Sequence, residues 1–254
     1  MLNEPPVFSQ EIAQSILINL DDRTIDQRGD IGSVLRSEAM KAAVAAMRDT
    51  SLDPENEMAR EMVARICGLA AEKLDRVRFE AAKCLQDNRI IFGLEHLELP
   101  YSPLHDILFP PRPNSEHRNI TGPESVSTIT YFTSLLSHTS SDSSLCFPLL
   151  RGLITTTGSS SDALMQTSRI ALLSHTAALS NPILETFCNV LAVDLLRASL
   201  TDERLCIPTL ETINFLLETT VLHRLIGTEF RFVGFCSFCH LVSVADGTNE
   251  WVVS

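Results

Sequence analysis

Leu35-Arg36-Ser37-Glu38-Ala39 and Val77-Arg78-Phe79-Glu80-Ala81 are two copies of one pattern: an apolar residue, an arginine, two spacers and an alanine. An acidic residue precedes each copy, Asp30 in the first and Asp75 in the second. From Arg36 to Arg78 is a step of 42 residues, inside the roughly 40–47 of HEAT and armadillo helical repeats. A helical pair of that length leaves one apolar face open, so it must stack on a neighbour. The fold class that follows is all-α, a HEAT/armadillo-like α-solenoid. Such a stack offers a surface that grips another protein, not a pocket that does chemistry.

Around the two copies the chain reads as more helices. Residues 9–20 form a first one, with Ile12, Ile16 and Leu20 on one face. After Asp30 a second carries Val34, Leu35, Ala39, Ala42, Ala43, Ala46 and Met47 as its apolar stripe. Asp53-Pro54 is a helix start, because Asp caps free amides and Pro suits the first helical position. Met58, Met62, Ile66 and Leu69 then repeat at three to four. A further helix over 75–86 buries Val77, Ala81 and Leu85. Four regions result: helical repeats over 1–86, an irregular Pro-rich connection over 87–123, further repeats over 124–231, and an atypical tail over 232–254. The connection holds six prolines between Pro100 and Pro123, too many for a helix.

In the third region helices are predicted at 125–137, 145–156, 162–178, 182–197 and 202–224. Pro148 and Pro208 share a setting, Cys-Phe-Pro-Leu-Leu and Cys-Ile-Pro-Thr-Leu, that suits the first turns of an outer helix. The tail lacks both helical period and cap. A strand-like ending and a non-homologous extension both fit it.

Composition removes several function classes. The net charge is −12, and the three lysines (Lys41, Lys73, Lys83) do not cluster, so nucleic acid is not the partner. No apolar run reaches the ~18 residues of a membrane span. The first ten residues contain Glu4 and two prolines and do not read as a signal peptide. Seven cysteines, five of them within helical patterns, read as buried free thiols in a reducing compartment. A cytoplasmic location is expected.

Candidate chemistry is thin. Cys236-Ser237-Phe238-Cys239-His240 matches the haem-attachment spacing, but nothing around it supports haem or zinc, and accidental spacing is the better reading. No phosphate-cradling glycine loop and no Gly-x-Ser-x-Gly elbow occur. No catalytic residue, cofactor or metal ligand is assigned. Arg36 and Arg78 read as structural, each reaching an acidic neighbour between stacked units. The charged loop with Asp21, Asp22, Arg23, Asp26, Arg28 and Asp30 is longer than a simple turn and lies where solenoid loops gather. It is the candidate partner-binding site.

One stretch resembles a family. Leu20-Asp21-Asp22-Arg23-Thr24-Ile25-Asp26-Gln27-Arg28-Gly29-Asp30-Ile31-Gly32-Ser33, followed by an arginine and an Ala-rich helix, is similar to the C-terminal part of tubulin-folding cofactor D. Ala70-Ala71-Glu72-Lys73-Leu74-Asp75-Arg76-Val77-Arg78, Leu149-Leu150-Arg151-Gly152-Leu153 and Ser168-Arg169-Ile170-Ala171-Leu172 resemble its later repeats. The resemblance runs over about residues 9–230 and ends before the tail. It implies a chaperone, not an enzyme, that holds β-tubulin and works with other tubulin-folding cofactors on the α/β heterodimer. It further implies stimulation of GTP hydrolysis by tubulin, association with an Arf-like small GTPase, and a place at microtubules. A HEAT scaffold for another client, a hydrolase with an unrecognised Ser–His pair, and the non-functional product of a truncated gene remain as rival readings.

Overall fold

The structure, a computed structural model, describes residues 10–27, 29–49, 56–92, 94, 126–141, 143–158, 162–199 and 202–225. The chain runs α1 (Gln10–Leu20), a small hairpin of β1 (Ile25–Asp26) and β2 (Gly29–Asp30), then α2 (Gly32–Asp49), α3 (Glu57–Leu69) and α4 (Asp75–Asp87). It continues with α5 (Val126–Ser141), α6 (Ser143–Thr157), α7 (Asp162–Ala178) and α8 (Asn181–Asn189). A π-helical stretch, Val190–Leu195, leads into α9 (Leu196–Ser199), followed by α10 (Glu203–Glu218) and a 3-10 turn, Thr220–Leu225. Among the described residues β pairing is confined to Ile25 with Asp30 and Asp26 with Gly29. The protein is an all-α helical solenoid.

The helices lie in two rows. α1, α3, α6 and α10 pack side by side in the first. In the second, α2 packs on α4 and α5 on α7, and the Arg78 guanidinium lies over the Phe132 ring, 5.7 Å from its centre, to join α4 to α5. The first two hairpins enter through row one and leave through row two, whereas α5–α6 runs the other way. α4 and α5 thus both lie in row two, and the alternation of rows breaks between them; residues 95–125 lie outside the described residues. So do most of the Pro-rich connection, the whole of the tail, and the Cys236–His240 motif.

Local residue choices account for the ends of these helices. Asn56 caps α3, its side-chain oxygen accepting from the Met58 amide at 3.0 Å. The cap predicted at Asp53 lies outside the described residues, and the described helix starts later. Asp202 caps α10 by accepting from the Arg204 amide at 3.2 Å. α8 begins at Asn181 with Pro182 in its first turn and Ser180 as the cap position.

Periodicity misplaces two faces. α1 buries Ala13, Ile16, Leu17 and Leu20 while Ile12 is exposed. α2 buries Arg36, Ser37, Ala39, Met40, Ala43 and Met47, and leaves Val34, Leu35 and Ala42 in water. The stripe on α2 is thus rotated so that an arginine occupies a core position. On α3 and α4, Met62, Ile66, Leu69, Val77, Ala81 and Leu85 are buried as their spacing predicts.

Glycine and proline set how closely the first row packs. A Cβ on Gly152 of α6 would collide with the Gly68 carbonyl oxygen of α3, and one on Gly68 would meet the Pro148 carbonyl oxygen at 2.7 Å. Gly158, just past α6, stands in the same relation to Pro208 of α10. The two similar proline segments are therefore equivalent: each lies against a glycine of the preceding row-one helix. They do not belong to an outer layer, since α6 is enclosed by α3, α5, α7, α10 and the π-helical stretch.

Arginines close the carboxyl ends of helices, where carbonyls have no partner within the helix. Arg65 donates to the Leu17 carbonyl at 3.3 Å, Arg169 to Thr157 at 2.9 Å, and Arg224 to Thr176 at 2.6 Å. Arg78 donates to the Glu72 carbonyl at 2.6 Å. The guanidinium charge also meets the negative end of the helix dipole.

Between α5 and α7, His175 Nε2 lies 3.2 Å from the Thr139 hydroxyl, which donates its proton to the Leu136 carbonyl. The imidazole therefore donates through Nε2 at that contact. Burial lowers its pKa from 6.5 to about 4. The unfolded chain takes up a proton near pH 6.5 that the folded chain refuses, so this contribution is full above that value. It is lost as pH falls towards 4, at a cost of about 3 kcal/mol. Melting temperature is expected to fall between pH 7 and pH 5, and His175→Gln to flatten that fall.

Candidate functional site

The loop between α1 and α2 is built by its own polar groups. Asp22 Oδ1 accepts from the Thr24 amide at 2.8 Å, an Asx turn. That hydrogen bond is the main reason the Asp22 carboxyl sits below its ordinary pKa. Gly29, at φ 112°, turns the hairpin between β1 and β2. Gly32 sends its amide to the Thr24 carbonyl at 3.0 Å and has no room for a side chain beside Asp22. Asp30 Oδ1 then accepts from the Ser33 amide at 2.9 Å, capping α2.

The charges of this loop meet partners inside the chain. Arg36, fully buried, donates to the Asp22 carbonyl, to Asp30 Oδ2 at 3.0 Å and to Glu72 Oε1 at 3.1 Å. Arg23 pairs with Glu72 Oε2 at 2.5 Å. Glu72, between α3 and α4, is itself buried, so one carboxylate serves two guanidinium groups. Arg78 completes the junction through the Glu72 carbonyl and the Asp75 carboxylate. The two arginines of the repeated pattern thus play the same part: each bonds an acid and a loop carbonyl, and both converge on Glu72.

A second set of ion pairs crosses row one. Arg65 of α3 holds Glu61 Oε1 at 2.8 Å and also pairs with Asp21. Asp21 accepts from Arg151 of α6 at 3.2 Å, and Arg151 approaches Asp202 at 3.6 Å. Arg204 of α10 donates to the Arg23 carbonyl at 2.5 Å. Of the predicted site residues, Asp21, Asp22, Arg23 and Asp30 are brought together this way. Asp26 sits half-buried in β1, and Arg28 lies outside the described residues. Ile25, paired with Asp30 in the hairpin, is an exposed apolar residue of the loop, at 67%.

Glu72, Arg65, Arg151, Asp202 and Arg204 are the members that spacing does not reveal. The repeated pattern flags Arg36 and Arg78 but not the carboxylate between them.

Cys84, Cys146 and Cys188 are not poised as nucleophiles. Burial pushes the Cys84 and Cys188 thiols up to about 12 and Cys146 to about 11, far from a thiolate at neutral pH. His175 and Thr139 are both buried between α5 and α7. Among the described residues no group of His, Cys, Asp and Glu is set to hold a metal ion, and no helix is long and apolar enough to cross a membrane.

A family model described as tubulin folding cofactor D C terminal matches residues 60–243. The match reaches into the tail that the sequence reading places beyond the resemblance, and it begins after the Leu20–Ser33 stretch on which the resemblance chiefly rests. No curated protein and no solved structure matches the chain.

Proposed function

Because this chain belongs to the tubulin folding cofactor D C-terminal family, we propose that it is a chaperone module that holds β-tubulin by surface contact during heterodimer assembly. The family match over more than half of the chain carries this reading. The two-row helical stack supports it. Other tubulin-folding cofactors bring the second subunit to the held one. Stimulated GTP hydrolysis takes place at tubulin's own site, an Arf-like small GTPase associates with the module, and the work is cytoplasmic, near microtubules.

The loop from Asp21 to Asp30 is the proposed contact. Ion pairs hold its base rigid, so its exposed Ile25 meets the client without a large ordering cost. Purified chain on beads is expected to retain tubulin, both from cell extract and as the pure heterodimer. Ile25→Asp should lower the retained tubulin about tenfold, the scale of a hot-spot residue, with unchanged melting. Failure to retain tubulin from either source overturns the function. Retention unaffected by Ile25→Asp overturns the loop assignment alone.

A further inference from the structure

In a simple helical stack each repeat touches only its neighbours, and stability adds up link by link. Here the α1–α2 loop touches α10, the last described helix of row one. Arg204 and the Arg23 carbonyl that it bonds are 181 positions apart, and Arg151 and Asp21 are 130 apart. Glu61, Arg65, Asp21, Arg151, Asp202 and Arg204 alternate in sign along this path, from α3 across the loop and α6 to the first turn of α10. Arg65, Asp21, Arg151 and Asp202 are each about a quarter exposed, so salt reaches them.

We infer that the α1–α2 loop is an electrostatic latch that clasps the amino-terminal end of α10, and that salt or loss of the Asp21 carboxylate releases that end while the first hairpins stay folded. Asp21 is the pivotal group because it alone accepts from both Arg65 and Arg151. Without it the two guanidinium groups face each other across the gap. Asp202, the cap of α10, then loses the arginine that Asp21 holds in place. The far half of α10 has separate anchors: Thr212 bonds Thr157 at 2.6 Å, and Leu216 is buried. Opening is therefore confined to the first turns. The latch works whatever the client is, and it makes the row a closed unit whose two ends sense each other.

Hydrogen exchange on the full chain tests it. Asp21→Asn should speed exchange in the first two turns of α10 about fivefold, the effect of removing a small network of surface pairs. Exchange in α3 over 62–69 should not change. Raising salt on the unaltered chain from about 0.05 M to about 0.5 M should reproduce the effect, and should add nothing in the Asp21→Asn chain. The salt series needs no variant, so the test survives a variant that folds poorly. Equal acceleration of α3 and α10 in that series marks general loosening and overturns the latch. Unchanged exchange in α10 overturns it too.

Discussion

Glu72→Ala is expected to lower folding stability by roughly 3–5 kcal/mol, the cost of breaking a buried ion pair by removing one partner. Arg36 has no exposed surface, and the Glu72 side chain is only 2% exposed. Without the carboxylate, Arg36 keeps only the Asp30 carboxylate and the Asp22 carbonyl, and Arg23 loses its Glu72 partner. Neither guanidinium gives up its proton, so the charge stays and is left underpaired. Total stability is typically 5–15 kcal/mol, and the loss corresponds to a melting point lower by about 10 °C in a chain of this size. Glu72→Gln keeps the shape and should lose nearly as much, because an amide nitrogen would face the arginines. Replacing Arg36 and Glu72 together by methionine should recover most of the loss. Urea unfolding followed by circular dichroism reads all three. A loss below about 1 kcal/mol for Glu72→Ala would place the junction with ordinary surface pairs.

Gly152→Ala is the second large effect, and its sign is the informative part. In an exposed helix, alanine in place of glycine gains about 1 kcal/mol. At Gly152 the new Cβ would collide with the Gly68 carbonyl oxygen and approach the Cβ of Ala71 to 3.1 Å. Backbone cannot rotate aside as a long side chain does, so α3 and α6 must separate. Overpacking of this kind costs about 1–3 kcal/mol, and separation also strains the Gly68–Pro148 contact. The net result should be a loss of about 1–2 kcal/mol, rising further for Gly152→Val. Gly29→Ala is a useful contrast, since nothing lies within 4 Å of a Cβ there. Its cost, about 1 kcal/mol, comes from the positive φ alone. If Gly152→Ala stabilises the protein, the two helices are not in backbone contact.

The architecture was readable in the sequence because its largest signals are local. Apolar spacing finds α3 and α4, and the paired arginines find the unit that repeats. The likeness of the Pro148 and Pro208 segments anticipates their equivalent places in row one. Periodicity misplaces a face where a charged residue does the work of an apolar one. Periodicity ranks Val34 and Leu35 above Arg36, and nothing in the window from 31 to 49 shows that Glu72 waits to receive that guanidinium.

The loop shows the same limit more sharply. Dense charge between Asp21 and Asp30 reads as an outward surface, because the groups that bond to this loop are 44, 130 and 181 positions away. Only the fold brings Arg65, Arg151 and Arg204 to one edge. The break in row alternation between α4 and α5, and the widened turn at Val190–Leu195, have no local signature.

The arginines that end the helices bear on which substitutions the chain tolerates. Arg224 spans the Thr176 and Ala177 carbonyls, and Arg169 serves Thr157 and Glu211 while lying over the Phe215 ring. A planar fork reaches two acceptors and a ring at once; a compact ammonium does not. An exchange for lysine, neutral by charge and usually counted as conservative, would here unfasten two elements together. The absence of lysine beyond residue 83 matches a half of the molecule whose cations are chosen for shape.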